Sequence, residues 1–362
     1  MKPLTITTQT SYAELLDQLL AIDARRSIGH APGAFVTKTI KGRAYTYFQY
    51  STPGGSTHQA YVGPRSEALD AVVERFAIER EALREDRERV DELAAVLRAG
   101  GAGVTDAASA RVLSALADAG VFKLGGVLVG THAFLALGNV LGVKWEGAAA
   151  RTEDVDIGVG RVLEVAVAAP DADVPRAIES LEMGFLPVPG LSPKDASTSF
   201  KVRGRGLRVD LVTPGDRART GRPVHVGRFN AAAAPVRYLE LVLEDTQPAA
   251  IVNGGGVLVT VPHPARFAIL KLLVAQDRPS AFQTKAEKDV AQGVQLIEAL
   301  EELRPGDLRR AWRSAAARGK GWARALDRGV GLVRHRAPGL ADRLERLGHS
   351  AVPRSRRSGP VR

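Results

Sequence analysis

The stretch from Val121 to Val159, VFKLGGVLVGTHAFLALGNVLGVKWEGAAARTEDVDIGV, constrains this chain more than any other. It reads as an apolar strand, a Gly130-Thr131 turn, a helix, and then a strand carrying two carboxylates. Side chains alternate faces along an extended strand, so Asp154 and Asp156 are expected to project from the same one. Two carboxylates held a few ångströms apart repel each other unless a proton or cation sits between them. The pair is therefore a candidate divalent-metal site, with oxygen donors suited to Mg²⁺ or Mn²⁺. Taken alone, Asp-x-Asp also describes an exposed strand edge with no chemical role.

The chain has 362 residues, room for two or three domains at on the order of 100–200 residues per core. Its 45% hydrophobic and 25% charged fractions are those of a globular protein. No apolar run approaches the roughly 20 residues that span a bilayer, and MKPLTITTQT lacks the apolar segment of a signal peptide. The absence of cysteine excludes disulfides, Cys-ligated zinc and thiol catalysis, and suits a cytoplasmic setting. The net charge of +10 is localised: residues 301–362 carry 16 Lys/Arg against 6 Asp/Glu, whereas residues 1–300 hold 34 of each sign. A segment of that kind is a candidate nucleic-acid contact through counterion release, or else a solvated helical face with a frayed tail.

Periodicity divides the chain further. Residues 1–64 read as a helix followed by a β-meander of AFVTKTI, RAYTYFQY and THQAYV, with turn signals at Lys41-Gly42 and Pro53-Gly54-Gly55. The tyrosines of that meander, beside Lys38, Lys41 and Arg43, either stack bases or form the packing face of a small sheet. Residues 65–104 form a long charged connecting helix, and Thr105 is expected to cap the next one. Residues 105–215 hold the strand-turn-helix-strand unit. After it come a strand-like RVLEVAVAA, a helix from Asp173 to about Met183, and short strands at 198–202 and 206–213. Residues 216–300 read as a helix over Pro235–Glu244, a hairpin around Asn253-Gly254, a proline-initiated helix and a further helix. Basic helices fill 301–350, and 351–362 reads as a disordered tail.

Three features around the aspartates extend the case. Gly130-Thr131 at a helix start offers free amides and a hydroxyl to a phosphate, or is simply a close turn that needs glycine. Asp210, in GLRVDLVTP, is a third carboxylate on a later strand, able to join the first two or to pair with Arg208. Lys271, followed by Arg278, Lys285 and Lys288, could balance a triphosphate or lie on an ordinary helix face.

In order and spacing, LVGTHAF, TEDVDIGV, LRVDLVTP and VPHPARFAILKL resemble the polymerase-β-type nucleotidyltransferase superfamily. The resemblance is closest to a prokaryotic group of nucleotidyltransferase-fold proteins, and the sheet at Gly33–Gln49 is similar to that group's N-terminal sheet. A more distant likeness is to abortive-infection-type nucleotidyltransferase toxins, through the downstream Lys, Arg and Lys-Asp pattern. The resemblance implies an α+β fold: a small mixed β-sheet core over 105–215 with flanking helices, an N-terminal meander and long helix, and a C-terminal helical region. It implies that Asp154, Asp156 and Asp210 bind Mg²⁺ or Mn²⁺ and that Asp210 activates an acceptor hydroxyl. Gly130, Thr131 and Lys271 would contact the phosphates of an NTP. The family's usual Gly-Ser is replaced by Gly130-Thr131-His132, which keeps the hydroxyl and leaves His132 as either a phosphate contact or a helix-face residue.

The expected activity is transfer of an NMP from an NTP to RNA, protein or a small acceptor, with release of pyrophosphate. An alternative is a catalytically silent fold that binds nucleic acid or regulates. A metal-dependent glycosyltransferase ranks last, because a meander and a charged helix stand where its nucleotide-binding half would lie.

Overall fold

The computed structural model describes residues 1–25, 27–31, 33–51, 55–147, 152–160, 172–189, 196–215 and 222–349. The strand expected at RVLEVAVAA and the tail expected at 351–362 lie outside these residues.

Strand β1 (Lys2–Pro3) leads into helix α1 (Ile6–Ala24), where the Thr5 side chain accepts from the Thr8 amide as an N-cap. Strands β2 (Ala34–Ile40), β3 (Arg43–Ser51) and β4 (Thr57–Pro64) form the expected antiparallel meander. Its first turn is a two-residue hairpin with Lys41 and Gly42 at φ 50° and 78°, the geometry that matches strand twist. Helix α2 (Glu67–Ala99) follows, with Phe76, Leu83, Val90 and Leu97 buried at seven-residue intervals. Its Val90 and Leu97 end meets Leu15 and Leu19 of α1 in a small core shared with the later hairpin, while Phe76 packs on Phe35 and Phe48 of the meander.

Helix α3 (Ala107–Asp118) is capped by Asp106, which accepts from the amides of Ala108 and Ser109. Thr105, the expected cap, is instead buried, its amide bonded to the Val252 carbonyl at 2.9 Å. Strand β5 spans only Gly126–Val129, because Val121–Gly125 turns between two glycines at φ 84°. Helix α4 (Gly130–Leu141) ends at Gly142 in the left-handed conformation. Strand β6 (Val143–Lys144) pairs with β1, and β7 (Asp154–Val159) carries the first carboxylates.

Helix α5 (Val174–Glu179) is shorter than expected. Then come β8 (Phe185–Pro187), β9 (Ser199–Val202), β10 (Arg208–Gly215), β11 (Val224–Val226) and β12 (Ala231–Arg237). The helix expected over Pro235–Glu244 is corrected to the end of β12 followed by α6 (Glu240–Leu243). Pro235 is tolerated there because β11 pairs only with Ala231–Ala233. The hairpin of β13 (Thr246–Val252) and β14 (Gly256–Pro262) forms as expected. Helices α7 (Pro264–Ala275), α8 (Gln283–Leu303), α9 (Pro305–Ala316), α10 (Lys320–Arg336) and α11 (Pro338–His349) complete the described chain.

The fold is α+β. Its central sheet is mixed, in the order β11-β12-β10-β7-β5, with β9 along the first half of β10 and β8 beyond it. Strand β10 runs parallel to both β7 and β12. The apolar sides of these strands, α7, α8 and the C-terminal helices share one core that includes Trp312, Leu326, Val330 and Leu344. The basic residues of 305–349 thus sit on the outer faces of helices whose inner faces complete the core. Among the described residues no helix is long and apolar enough to cross a membrane.

Candidate active site

Alternation places the carboxylates. On β7 and β10, Val155, Ile157, Val209 and Leu211 are buried in the core, so Asp154, Asp156 and Asp210 emerge from the other face. The parallel register sets Asp156 opposite Asp210 and Asp154 opposite Arg208. All three carboxylates line one cavity of about 280 Å³.

On the other side of β7, antiparallel β5 sets Val129 opposite Asp156. The chain therefore leaves the sheet at Gly130, beside that carboxylate. Gly130 has φ 68°, and a Cβ there would lie 2.0 Å from Asp156 Oδ2. Glycine is required both for the left-handed backbone and for the close approach. Val129 at the N-cap makes no side-chain hydrogen bond to α4, and uncapped first-turn amides of a helix are suited to an anion.

Burial pushes the Asp156 carboxyl up to about 6, with repulsion from Asp210 and Asp154 adding to it and Lys271 and Lys285 opposing. The other two carboxylates are met by cations. Asp154 Oδ2 lies 3.3 Å from Lys285 Nζ. Asp210 Oδ1 accepts from Arg208 Nε at 2.6 Å and from the Ser199 hydroxyl. Among the described residues, no three His, Asp or Glu side chains converge on one metal-sized point. The donor set nonetheless suits a hard divalent cation, being all oxygen and holding one enclosed carboxyl that a cation would return to its charged form. In this arrangement Asp210 is turned to Arg208.

Helices α7 and α8 close the cavity with charge. Lys271 is buried and donates to Asp289 at 2.9 Å, and Arg278 reaches the other oxygen of Asp289 at 2.8 Å. Burial alone would raise the Asp289 carboxyl, but Lys271 and Arg278 together hold it below its ordinary value. Burial, with repulsion from Lys271, lowers Lys288. Lys285, Lys288, Asp289 and Gln292 recur at i, i+3, i+4 and i+7 along α8 and so share a face. Gln292 Nε2 donates to Thr131 Oγ1 at 3.2 Å, which fixes the hydroxyl while leaving its proton to donate.

Lys271 thus lies beside the expected phosphate position with its ammonium engaged by Asp289. His132 is 1% exposed and does not line the cavity. Burial lowers it to about 4, and neither ring nitrogen has a hydrogen-bond partner. It is a core residue of α4 rather than a cavity contact.

A second chamber of about 560 Å³ adjoins the first and shares Gly130, Asp156, Val212, Lys271, Arg278 and Asp289 with it. Its own walls are Val129, Pro235, Val236, Leu239, Phe267, Leu270, Val274 and Pro279, together with the ion-paired Arg237 and Asp277. A charged compartment thus opens onto one that has an apolar wall and charged groups beside it. The sequence reading missed Ser199, Thr152 and Thr198 as lining residues and Gln292 as the partner of Thr131. The helical spacing of Gln292 from Lys285 and Lys288 was its one available signal.

Neither curated proteins nor solved structures give a match to the chain. A family model described as nucleotidyltransferase does match, over residues 107–317. That span begins at α3 and contains every carboxylate, the Gly130 turn and the cationic wall, and on it the chain belongs to the nucleotidyltransferase family.

Proposed function

We propose that the protein is a metal-dependent nucleotidyltransferase that moves an NMP from an NTP to an acceptor hydroxyl and releases pyrophosphate. The observation that carries this reading is the opposition of Asp156 and Asp210, with Asp154 on the same face and Gly130 at a helix start beside them. Asp154, Asp156 and Asp210 are the residues that would hold Mg²⁺ or Mn²⁺. When bound, such ions neutralise phosphate charge and stabilise attacking and leaving oxygens. The amides of Gly130 and Thr131 and the Thr131 hydroxyl orient the phosphates. Lys285 and Lys288 supply positive charge to the pyrophosphate end, with Lys271 held ready through Asp289. Asp210 takes the proton of the acceptor hydroxyl once Arg208 has turned away. The apolar wall of the second chamber, Val129, Leu239, Phe267, Leu270 and Val274, accommodates the base. The acceptor is RNA, a protein or a small molecule. The Lys271, Arg278 and Lys288-Asp289 pattern supports a distant kinship with abortive-infection-type toxins.

A second reading draws on the ion pairs of Asp154 with Lys285 and of Asp210 with Arg208, while Asp156 has no cationic partner at bonding distance among the described residues. Here the fold binds nucleotide but does not transfer it. The two readings separate in an assay of α-labelled NTPs with Mg²⁺ or Mn²⁺, run with cell RNA, protein and small-molecule fractions as acceptors. Transfer that disappears in Asp154→Asn/Asp156→Asn supports the enzyme. Transfer that persists unchanged in that folded variant overturns it. NTP-dependent thermal stabilisation with no transfer to any fraction favours the silent fold.

A further inference from the structure

The N-terminal sheet places Phe35 and Phe48 on one side, with Tyr50 stacked on Phe48, and its other three tyrosines on the opposite side. Phe35 and Phe48 stand opposite each other in the β2–β3 register and both meet Phe76 of α2, at ring separations of 5.1 and 5.8 Å. This side is the packing face. Alternation turns Tyr45, Tyr47 and Tyr61 to the other side. Tyr47 and Tyr61 pair in register and touch edge to face at 5.5 Å, with Tyr45 and Tyr61 6.2 Å apart. Tyr61 is 58% exposed, and Tyr45 and Tyr47 are partly exposed. Burying these rings further would be favourable, and among the described residues Tyr61 is left largely uncovered.

Polar groups are arranged around the rings. Lys38 Nζ lies 5.1 Å from the centre of the Tyr47 ring and donates to Gln59, whose amide donates to Gln49 at 2.7 Å. Residues 24–66 contain six Lys/Arg and no Asp or Glu, although Arg65 pairs with Asp70 of α2 at 3.1 Å. A face of neighbouring rings and amide side chains, with Lys38 on it and no acidic residue in its own strands, matches an occupant with flat aromatic groups and a polyanionic backbone.

We propose that the face formed by Tyr45, Tyr47, Tyr61 and Lys38 binds single-stranded nucleic acid by stacking unpaired bases. A duplex hides its base faces and would offer this side only phosphates, so the single strand is the committed occupant. The proposal lies outside the matched family region and does not depend on the transfer chemistry.

The test uses the full chain and a fluorescein-labelled oligouridine RNA of about a dozen nucleotides, followed by anisotropy from about 50 to about 200 mM salt. Wild type should bind, lose affinity with salt, and prefer the single strand to a duplex of equal length. Tyr47→Ala/Tyr61→Ala should weaken binding about tenfold or more, while Tyr47→Phe/Tyr61→Phe, which keeps the rings, should stay near wild type. Ultraviolet crosslinking should place the RNA on the peptide containing Tyr45 and Tyr47. No binding at low salt overturns the proposal, as does an alanine variant that melts like wild type and binds as tightly. Should the alanine variant unfold, crosslinks confined to residues 301–349 overturn it instead. Loss of binding in Arg324→Glu/Arg328→Glu with no loss in the tyrosine variants also moves the site to the C-terminal helices.

Discussion

Asp156 and Gly130 are in mutual contact across the β5–β7 pair, and each explains the other. The left-handed Gly130 lets the backbone pass where a Cβ would fall 2.0 Å from the Asp156 carboxylate. That carboxylate is in turn raised to about 6 by its enclosure there.

Replacing Gly130 with alanine therefore both strains the backbone and displaces the carboxylate. The left-handed conformation alone costs an alanine about 1–2 kcal/mol. Gly130→Ala should lower the unfolding free energy by at least that amount in urea denaturation, and should abolish NTP-dependent thermal stabilisation. A variant that melts and binds nucleotide like wild type would show that the turn has room this geometry denies.

The buried Lys271–Asp289 pair should be far more sensitive to losing one partner than to losing both. Asp289→Asn leaves an ammonium in the core with no countercharge, a change that costs about 3–5 kcal/mol in buried pairs. Lys271→Met/Asp289→Leu removes both charges and should recover much of the loss, because similar-sized apolar residues can replace a buried pair nearly without penalty. Equilibrium unfolding of the single and double variants checks this. Equal destabilisation in the two would mean that packing, not charge, dominates at this site.

His132 gives the fold an acid-sensitive element. Its folded value of about 4 lies below the ordinary 6.5, so between those values the unfolded chain binds a proton that the native one refuses. Stability from this residue is complete above pH 6.5 and is lost as pH falls toward 4, by roughly 3 kcal/mol in all. Asp106 and Asp154 oppose the shift and Lys288 adds to it. Asp156, raised rather than lowered, has the opposite sign: its contribution is present at low pH and is lost as pH rises to about 6. It is common to wild type and His132→Leu and so cancels in their difference. Urea unfolding of the two across pH 7 to 4 should show the variant losing less stability on acidification. Parallel curves would reject this assignment.

Much of the site was legible because short periods are local. Alternation is enough to put Asp154 and Asp156 on one face and Asp210 on the polar side of its own strand. That β10 lies parallel to β7 with Asp210 opposite Asp156 is a long-range pairing, and no local pattern encodes it. The turn at Gly130 was readable, but the steric reason for its glycine depends on Asp156, far along the chain. Lys271 looked like a phosphate ligand, and its buried partner Asp289 emerges only once α7 packs on α8. Pro235 and Val236 followed an alanine run of helical composition, yet sheet pairing with β10 overrode that preference. In the N-terminal sheet the tyrosines are legible as a cluster, but that Phe35 and Phe48 form the packing face depends on Phe76 of the helix after it.

Arg208 sets a condition on the proposed metal site. Its guanidinium reaches Asp210 Oδ1 at 2.6 Å and the Ser199 hydroxyl at 2.6 Å. A divalent cation that recruits Asp210 through Oδ1 must displace this contact, and even one bound at Oδ2 meets the guanidinium's repulsion, so the arginine competes with the ion for one carboxylate. Arg208→Met removes the competitor and adds unbalanced negative charge beside Asp156. The metal-free variant should be less stable than wild type. Its Mn²⁺ affinity should be higher by up to about fivefold, since a partly exposed ion pair contributes about 1 kcal/mol at most. Free-Mn²⁺ resonance signals in a titration of both proteins measure this without any assay of turnover. Weaker Mn²⁺ binding in Arg208→Met would show that Arg208 positions Asp210 for the ion rather than withholding it.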